Sequence, residues 1–341
     1  MNAKERVKRA IHFGTPDRVP NHLPEPWPSD IVWIFPKGKD ISTEIRDGKT
    51  YRLSEWSSWW HVVSEQNMGE VVKPAVEEWS QYEHYVFPSV NDPERYDHVA
   101  QIVGGNQDKY LMGVLSASLF PHYWEIRGLM NFYGDLIEET EKMEQLLDAL
   151  VDIQLASLET WTRYPVDGIV VGFDDWGLQD RLMISPELFR KFFLPRYAKV
   201  WSRIHAKGLD VILHSCGDIT SILPDMMAAG LDVINMDQQE NMGLERLGRE
   251  FGGKICFWNP VDIQTVMLDG TQEEIDLYVE KMIRCLASDK GGFIGKYYTQ
   301  PEAVHHTPER NKAAFDSFVR HSTMYNDFHT NGAGSLECNT K

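Results

Sequence analysis

Beyond about Tyr164, short apolar runs alternate with amphipathic helical patterns, which limits the chain to folds built around a parallel sheet. Helix boundaries separate the runs: Ser185-Pro186 is an N-cap followed by proline in the first turn, and Gly208 ends the helix. Five consecutive strand–helix units predict a barrel or a doubly wound sheet. The predicted strands are 166–173, 209–215, 231–236, 254–258 and 291–294.

Two earlier apolar runs, 18–22 and 110–115, bring the count to seven and favour an α/β fold of the (β/α)8 TIM-barrel type. No GxGxxG motif follows any of these strands, which disfavours dinucleotide binding. The stretch 24–108 is rich in aromatic residues and proline, and we expect it to be an insertion that covers one barrel end. We therefore predict a single domain over 1–326, with 327–341 as a flexible C-terminal tail.

The net charge, the cysteines and the lengths of the apolar runs indicate which partners and which cell compartment to expect. The net charge of −17 disfavours nucleic acid and anionic membrane surfaces, which both need a basic field. The four cysteines have no CxxC spacing, and a disulfide scaffold is implausible at this chain length. No apolar run approaches the ~20 residues that span a bilayer. We expect a cytoplasmic protein with no membrane and no nucleic-acid partner.

Polar residues follow the predicted strands at the point where each strand ends. Because active sites of (β/α) barrels lie at the carboxyl ends of the strands, these side chains are expected to share one mouth. They include Asp174-Asp175-Trp176, His214-Ser-Cys216-Gly-Asp218, Asn235-Met-Asp237, Asn259, Lys296-Tyr-Tyr298, and His22 with Glu25.

His214 and Cys216 are the most specific pair at these strand ends. Alternate strand residues point to the same face, so an imidazole and a thiol lie side by side. Zinc binds both groups, and the pair is a candidate metal site that needs a further ligand. The alternative is a buried thiol beside a hydrogen-bonded histidine. Cys256 lies within a strand and is expected to be a core thiol.

The remaining candidates each carry an alternative structural role. Asp174 and Asp175 are candidates for a general acid or base, or for a carboxylate that orients a ligand near the metal; the alternative is that they cap the next helix. Tyr298 is a candidate proton donor to a leaving oxygen, or a rim aromatic. Trp176 is a candidate for stacking against the substrate; the alternative is that it packs against the helix. The other predicted substrate-binding residues are Asn235, His22 and Glu25; Glu125 and Arg127 are expected on a solvated helix face.

In combination, several motifs resemble the uroporphyrinogen decarboxylase superfamily over roughly residues 2–311. The resemblance implies a (β/α)8 barrel and either decarboxylation of tetrapyrroles or methyl transfer to or from a corrinoid protein. The motifs are Lys4-Glu-Arg-Val-Lys-Arg-Ala-Ile, Pro16-Asp-Arg-Val-Pro20, Asp174-Asp175-Trp176-Gly177, Ile184-Ser-Pro-Glu-Leu-Phe, His214-Ser-Cys-Gly-Asp218, Gly291-Gly-Phe-Ile and Thr307-Pro-Glu-Arg-Asn311.

The resemblance is closer to the methyltransferase branch. True decarboxylases carry an arginine-rich loop after the first strand, whereas this chain has His22-Leu-Pro-Glu-Pro-Trp27. The methyltransferase branch builds a zinc site from a His-x-Cys pair, matched by His214 and Cys216, and a later cysteine. Here Gly295-Lys-Tyr-Tyr-Thr-Gln replaces the segment with that cysteine. Either Glu302, His305 or His306 completes the site, or the metal is absent and Asp175 and Tyr298 supply acid chemistry.

These observations predict a methyltransferase that moves a methyl group from a small donor to the cobalt of a separate corrinoid protein. The many tryptophans and tyrosines suit an aryl methyl ether as the donor. The expected cofactors are zinc on this chain and corrinoid on the partner. Two alternatives stay open: a decarboxylase of a small or tetrapyrrole carboxylate, and a non-catalytic barrel that binds tetrapyrrole or corrinoid.

Overall fold

A computed structural model describes residues 1–39, 41–63 and 69–324. The tail predicted at 327–341 lies outside these residues. The described strands form an eight-stranded parallel sheet and a separate four-stranded antiparallel sheet. Their bounds are β1 (Asn21–His22), β2 (Ile31–Ile34), β3 (Ser42–Arg46), β4 (Lys49–Leu53), β5 (Trp59–Val62), β6 (Glu70–Lys73), β7 (Tyr110–Val114), β8 (Gly168–Phe173), β9 (Asp210–His214), β10 (Val233–Asn235), β11 (Cys256–Asn259) and β12 (Phe293–Lys296).

The parallel sheet has the order β1-β12-β11-β10-β9-β8-β7-β2 and curls into a barrel. The backbone N–H of Asp30 donates to the Asn21 carbonyl at 2.7 Å, which joins the two end strands β1 and β2. Barrel strands are buried on both faces, so they appear in the sequence as nearly continuous apolar runs. The predicted (β/α)8 TIM barrel is confirmed.

The eighth strand, β2, was not predicted from the sequence. It is a four-residue run, Ile-Val-Trp-Ile, between Pro28 and Pro36, within the stretch 24–108 that we expected to be an insertion. Its pairing with β7 makes it part of the barrel. Strands β3 to β6 of the same stretch form the antiparallel sheet, which is separate from the barrel sheet.

Helices surround the barrel and separate its strands. The Ser185 side chain caps α6 and the Thr271 side chain caps α11, as expected for N-cap residues. The helix predicted to run from Ser185 to Gly208 is divided at Phe193. The bounds are α1 (Ala3–Ile11), α2 (Val99–Gly105), α3 (Leu119–Arg127), α4 (Leu129–Glu138), α5 (Thr140–Trp161), α6 (Pro186–Phe192), α7 (Leu194–Ala206), α8 (Leu223–Ala229), α9 (Leu244–Phe251), α10 (Val266–Asp269), α11 (Gln272–Leu286) and α12 (Pro308–His321).

Helix α1 closes the amino end of the barrel. Its buried residues Val7, Ala10 and Ile11 pack with side chains from the barrel interior, and the N–H of Gly292 donates to the Ala10 carbonyl at 2.8 Å. The carboxyl ends of the strands, where the predicted site residues lie, form the opposite end.

The antiparallel sheet follows the carboxyl end of β2 and is attached to helix α3 by Glu125. The Glu125 carboxylate accepts hydrogen bonds from the Trp60 indole at 2.9 Å and the Ser54 hydroxyl at 2.5 Å. Arg127 pairs with Asp135 at 2.9 Å and is also buried. The expectation that Glu125 and Arg127 lie on a solvated face is therefore wrong, because the inserted sheet and helix α4 cover them.

Among the described residues, no helix has the length and apolar character needed to cross a membrane.

Candidate functional site

Asp175, His214 and Cys216 meet at the carboxyl end of the barrel. His214 Nε2 lies 3.4 Å from Cys216 Sγ and 3.3 Å from Asp175 Oδ1. One potential ligand atom from each residue lies within 4.8 Å of the others. Carboxylate, imidazole and thiolate are all zinc ligands, and catalytic zinc sites use three protein ligands with a fourth position left for water or substrate. The three side chains therefore fit a catalytic metal centre.

Asp175 reaches this cluster because the loops after β8 and β9 are bound to each other. The N–H of Gly177 donates to the Cys216 carbonyl at 3.0 Å, and the N–H of Asp218 donates to the Leu178 carbonyl at 2.8 Å. The Asp175 carboxylate also accepts the Cys216 N–H at 2.8 Å. Gly177 and Gly217 make this pairing possible, since a Cβ on Gly217 would lie 2.1 Å from the Gly177 backbone.

Negative groups surround the His214 imidazole. Burial lowers the pKa of His214, but Cys216, Asp175 and Asp237 together raise that pKa well above its ordinary value. Burial raises the pKa of the Cys216 thiol, and the charge of His214 opposes that shift. A carboxylate and a thiol thus converge beside one imidazole, an arrangement in which a divalent cation would displace the protons of the thiol and the imidazole.

Asn235 orients the His214 ring. The Asn235 amide nitrogen donates to the Trp258 carbonyl at 2.6 Å, so its oxygen faces His214 Nδ1 at 2.7 Å. An amide oxygen can only accept, and Nδ1 must therefore carry a proton. In the neutral ring this assigns the free lone pair to Nε2, the nitrogen that faces Cys216 and Asp175.

A buried ion pair supports Asn235. The Lys296 ammonium donates to Asn235 Oδ1 and to Asp237 Oδ1, both at 3.0 Å. Burial raises the pKa of Asp237, but Lys296 and His214 outweigh it and leave that pKa below its ordinary value. The order His214–Asn235–Lys296–Asp237 is a continuous hydrogen-bonded chain at the carboxyl ends of β9, β10 and β12.

Replacing Asn235 with leucine is expected to weaken zinc binding about 10- to 100-fold, because the His214 ring loses the acceptor that fixes its orientation. Competition with a chromophoric chelator measures the affinity. Asn106→Leu, which changes an asparagine between α2 and β7, is the control and should bind zinc as the wild type does. Equal zinc affinity in Asn235→Leu and the wild type would show that Asn235 does not position His214.

An aromatic wall lies beside this chain of polar groups. Trp33 contacts Trp258, Phe35 and Phe173 with ring centroids 4.9, 5.1 and 5.9 Å apart. Phe173 in turn lies 5.8 Å from the His214 ring. Phe35 is 46% exposed, so the wall extends from the barrel interior to solvent. We refer to Trp33, Phe35, Phe173 and Trp258 as the aromatic wall.

His22 also lies against the aromatic wall, with its ring 5.5 Å from Trp258 and 5.9 Å from Trp33. Burial is the main reason that the pKa of His22 falls to about 3, and Lys296 adds to the shift. His22 is therefore neutral at physiological pH. Glu25, by contrast, is exposed, and the structure does not bring it into this cluster.

Asp174 and Trp176 face away from the mouth. Asp174 is fully buried and accepts the Phe120 N–H at 2.8 Å at the start of helix α3, while burial raises its pKa to about 7. Trp176 is also fully buried, stacks on Phe120 at 4.7 Å and donates to the Tyr197 hydroxyl. Both residues hold the loop after β8 in place, and neither lines an open pocket.

Tyr298 lies beside the cluster, but the predicted third ligands do not join it. Burial, with contributions from Asp237, Cys216 and Asp175, raises the pKa of Tyr298 to about 12. His306 Nε2 is hydrogen-bonded to the Ile263 carbonyl at 3.0 Å. Neither His306 nor the exposed His305 and Glu302 belongs to the metal-ligand group, where Asp175 is the third member.

Several site residues were not assigned a role from the sequence. Trp33 lies on strand β2, and Phe35 directly follows that strand. Because β2 was not predicted, neither residue was considered as a strand-end residue. Lys296 and Asp237 were recognised as strand-end residues but were given no role, and their strand-end position is the signal that could have assigned them to the site.

Comparison with known proteins places the chain in a family. The model of the family described as uroporphyrinogen decarboxylase (URO-D) matches residues 62–315. The chain belongs to this family. A solved methyltransferase from Methanosarcina mazei has the same fold, with a TM-score of 0.65 at 15% identity over 97% of this chain and 100% of that one.

Two curated relatives of the chain are methyltransferases. The methylcobamide:CoM methyltransferase MtbA of Methanosarcina mazei is 23% identical over 45% of this chain and 43% of its own length. A methylated-thiol–coenzyme M methyltransferase of the same organism is 25% identical over 44% of this chain and 38% of its own length. The chain thus matches about two-fifths of the length of these relatives. The resemblance to the methyltransferase branch is confirmed.

Proposed function

We propose that this URO-D family protein is a cytoplasmic methyltransferase that takes a methyl group from an aryl methyl ether and delivers it to a corrinoid protein. The observation that carries the proposal is the position of Asp175, His214 and Cys216 within 4.8 Å of one another, next to the aromatic wall. The methyltransferase relatives support the reaction class.

Asp175, His214 and Cys216 are the residues that would hold a zinc ion. Bound zinc supplies a Lewis acid that polarises an oxygen or a thiol. Asn235 holds the His214 ring with Nε2 toward the cluster, and the paired loops hold Asp175 there. The absence of the expected later cysteine is compensated by the Asp175 carboxylate, a harder ligand than thiolate and one suited to oxygen chemistry.

The aromatic wall supports an aromatic donor. Ring faces and edges at 4.9 to 5.9 Å spacing form a surface on which a benzene ring stacks with little loss of conformational freedom. The partly exposed Phe35 leaves the outer edge of this surface accessible, as a corrinoid protein docking over the barrel mouth requires. Uroporphyrinogen is a poor fit, because the carboxylates of Asp175 and Asp237 lie at the mouth, where they would repel its carboxylates.

The test is anaerobic incubation of the purified protein with methoxybenzenes and a reduced corrinoid, with the cobalt absorption spectrum as the readout. We expect the spectrum of the methylated corrinoid to appear with the wild type and not with His214→Ala. Failure of every methoxybenzene, together with release of CO2 from an aromatic or tetrapyrrole carboxylate, would instead support a decarboxylase.

A further inference from the structure

Lys296 is a buried ammonium whose hydrogen-bonding capacity is only partly used. Its side chain is 3% exposed, and it donates to Asn235 Oδ1 and Asp237 Oδ1. An ammonium has three N–H donors, so one remains for another acceptor. Burial of a lysine–aspartate pair is itself a weak source of stability.

The Lys296 ammonium lies against the aromatic wall. Lys296 Nζ is 5.3 Å from the centroid of the Trp258 ring and 5.8 Å from that of Trp33. Lys296 and His214 donate to the same oxygen of Asn235, so the ammonium and the candidate metal ligand lie next to each other. A ring stacked on the wall would carry its substituent into the space between them.

Other buried donors at this end of the barrel have no hydrogen-bond partner among the residues that the structure describes. They include the indole nitrogens Nε1 of Trp33 and Trp258, Asn259 Nδ2, and His22 Nδ1, a ring nitrogen that donates in one tautomer. A buried polar group left without a partner costs about 1 to 3 kcal/mol, and such groups are rare in folded proteins. Indole N–H groups and an ammonium are donors of the kind that bind an oxygen anion.

We propose that Lys296, with the indole N–H groups of Trp33 and Trp258, forms a subsite for the phenolate oxygen that the donor releases. This inference rests on the proposed function. In the reaction the bond between the ether oxygen and the methyl carbon breaks, and its electron pair stays on oxygen. The reduced cobalt of the corrinoid protein provides the electron pair for the new carbon–cobalt bond. The Lys296 ammonium stabilises the phenolate through a charged hydrogen bond, with no proton transfer required.

The subsite can be tested by ligand binding alone, without the corrinoid. 4-Nitrophenolate is the probe, because its visible absorbance reports the ionised form, and neutral nitrobenzene is the reference. We expect Lys296→Met to bind 4-nitrophenolate about 30-fold more weakly than the wild type, since one charged hydrogen bond is lost. Nitrobenzene binding should change little. Lys290→Met, which removes an exposed lysine before β12, is the matched control and should behave as the wild type.

Two further variants separate a local effect from misfolding. Lys296→Met leaves the Asp237 carboxylate buried without its cation, so the double variant Lys296→Met with Asp237→Asn removes both charges. Lys296→Arg keeps the positive charge and should retain most of the phenolate binding. Equal binding of 4-nitrophenolate by the wild type and the folded double variant would overturn the subsite.

A kinetic comparison tests the same assignment during methyl transfer. Anisole releases a poorly stabilised phenolate, whereas the nitro group of 4-nitroanisole delocalises the charge. Loss of Lys296 should therefore reduce the rate with anisole much more than the rate with 4-nitroanisole; equal losses would contradict the role of Lys296. Phenolate binding that depends on Lys296 supports the subsite even where no ether donates a methyl group, a result that would reject only the proposed function.

Discussion

His214→Ala and Cys216→Ser are each expected to remove zinc from the purified protein and to lower the rate of methyl transfer about 1,000-fold or more. A three-ligand site that loses one donor binds its metal far more weakly, and the remaining groups cannot supply the Lewis acid. Asp175→Asn should have a smaller effect of the same kind, because the amide oxygen still accepts the Cys216 N–H. Metal analysis of protein prepared without chelator gives the zinc content, and the cobalt spectrum gives the rate.

Cys256→Ser is the matched control for this experiment. Cys256 begins strand β11, and it lies inside the barrel among apolar side chains and outside the metal-ligand group. Its replacement should leave zinc content and activity close to those of the wild type. Wild-type protein that contains no stoichiometric zinc, or a His214→Ala protein that keeps both zinc and activity, would reject the metal centre.

Gly217→Ala is expected to lower the free energy of unfolding by about 3 kcal/mol and to abolish methyl transfer even in the fraction that folds. Gly217 has a φ of +74°, and an added Cβ would lie 2.1 Å from the Gly177 backbone. The loops after β8 and β9 would have to separate, which moves Asp175 away from His214 and Cys216. Urea unfolding, zinc content and the methyl-transfer rate measure the three effects.

Gly208→Ala is the control that separates the cost of a left-handed backbone conformation from the steric clash of the added Cβ. Gly208 has nearly the same φ, +72°, but an added Cβ would meet nothing within 4 Å. This variant should lose only about 1 kcal/mol of stability, the cost of placing alanine in the left-handed region, and should keep its zinc and activity. If Gly217→Ala behaves as Gly208→Ala does, the close approach of the two loops is not what positions Asp175.

Most of the barrel could be predicted from local patterns. Strands such as β8 and β9 are long apolar runs bounded by capping residues and glycine, and each pattern depends on neighbours in the chain. Strand β2 was not predicted, because its four residues lie within a stretch that is rich in aromatic residues and proline. A short apolar run there has no period that separates a barrel strand from an inserted one.

Within the site, the sequence determined the position of His214 and Cys216, because the apolar run before them predicts a strand that ends at these residues. Only the tertiary structure decided that Asp175, 41 residues from Cys216, is the third member of the group. Asp175 reaches the group because the backbones of Gly177 and Gly217 are in contact. The aromatic wall forms because strands β2, β8 and β11 belong to one closed barrel. Local patterns reveal which residues end a strand, whereas barrel closure decides which strand ends face one another.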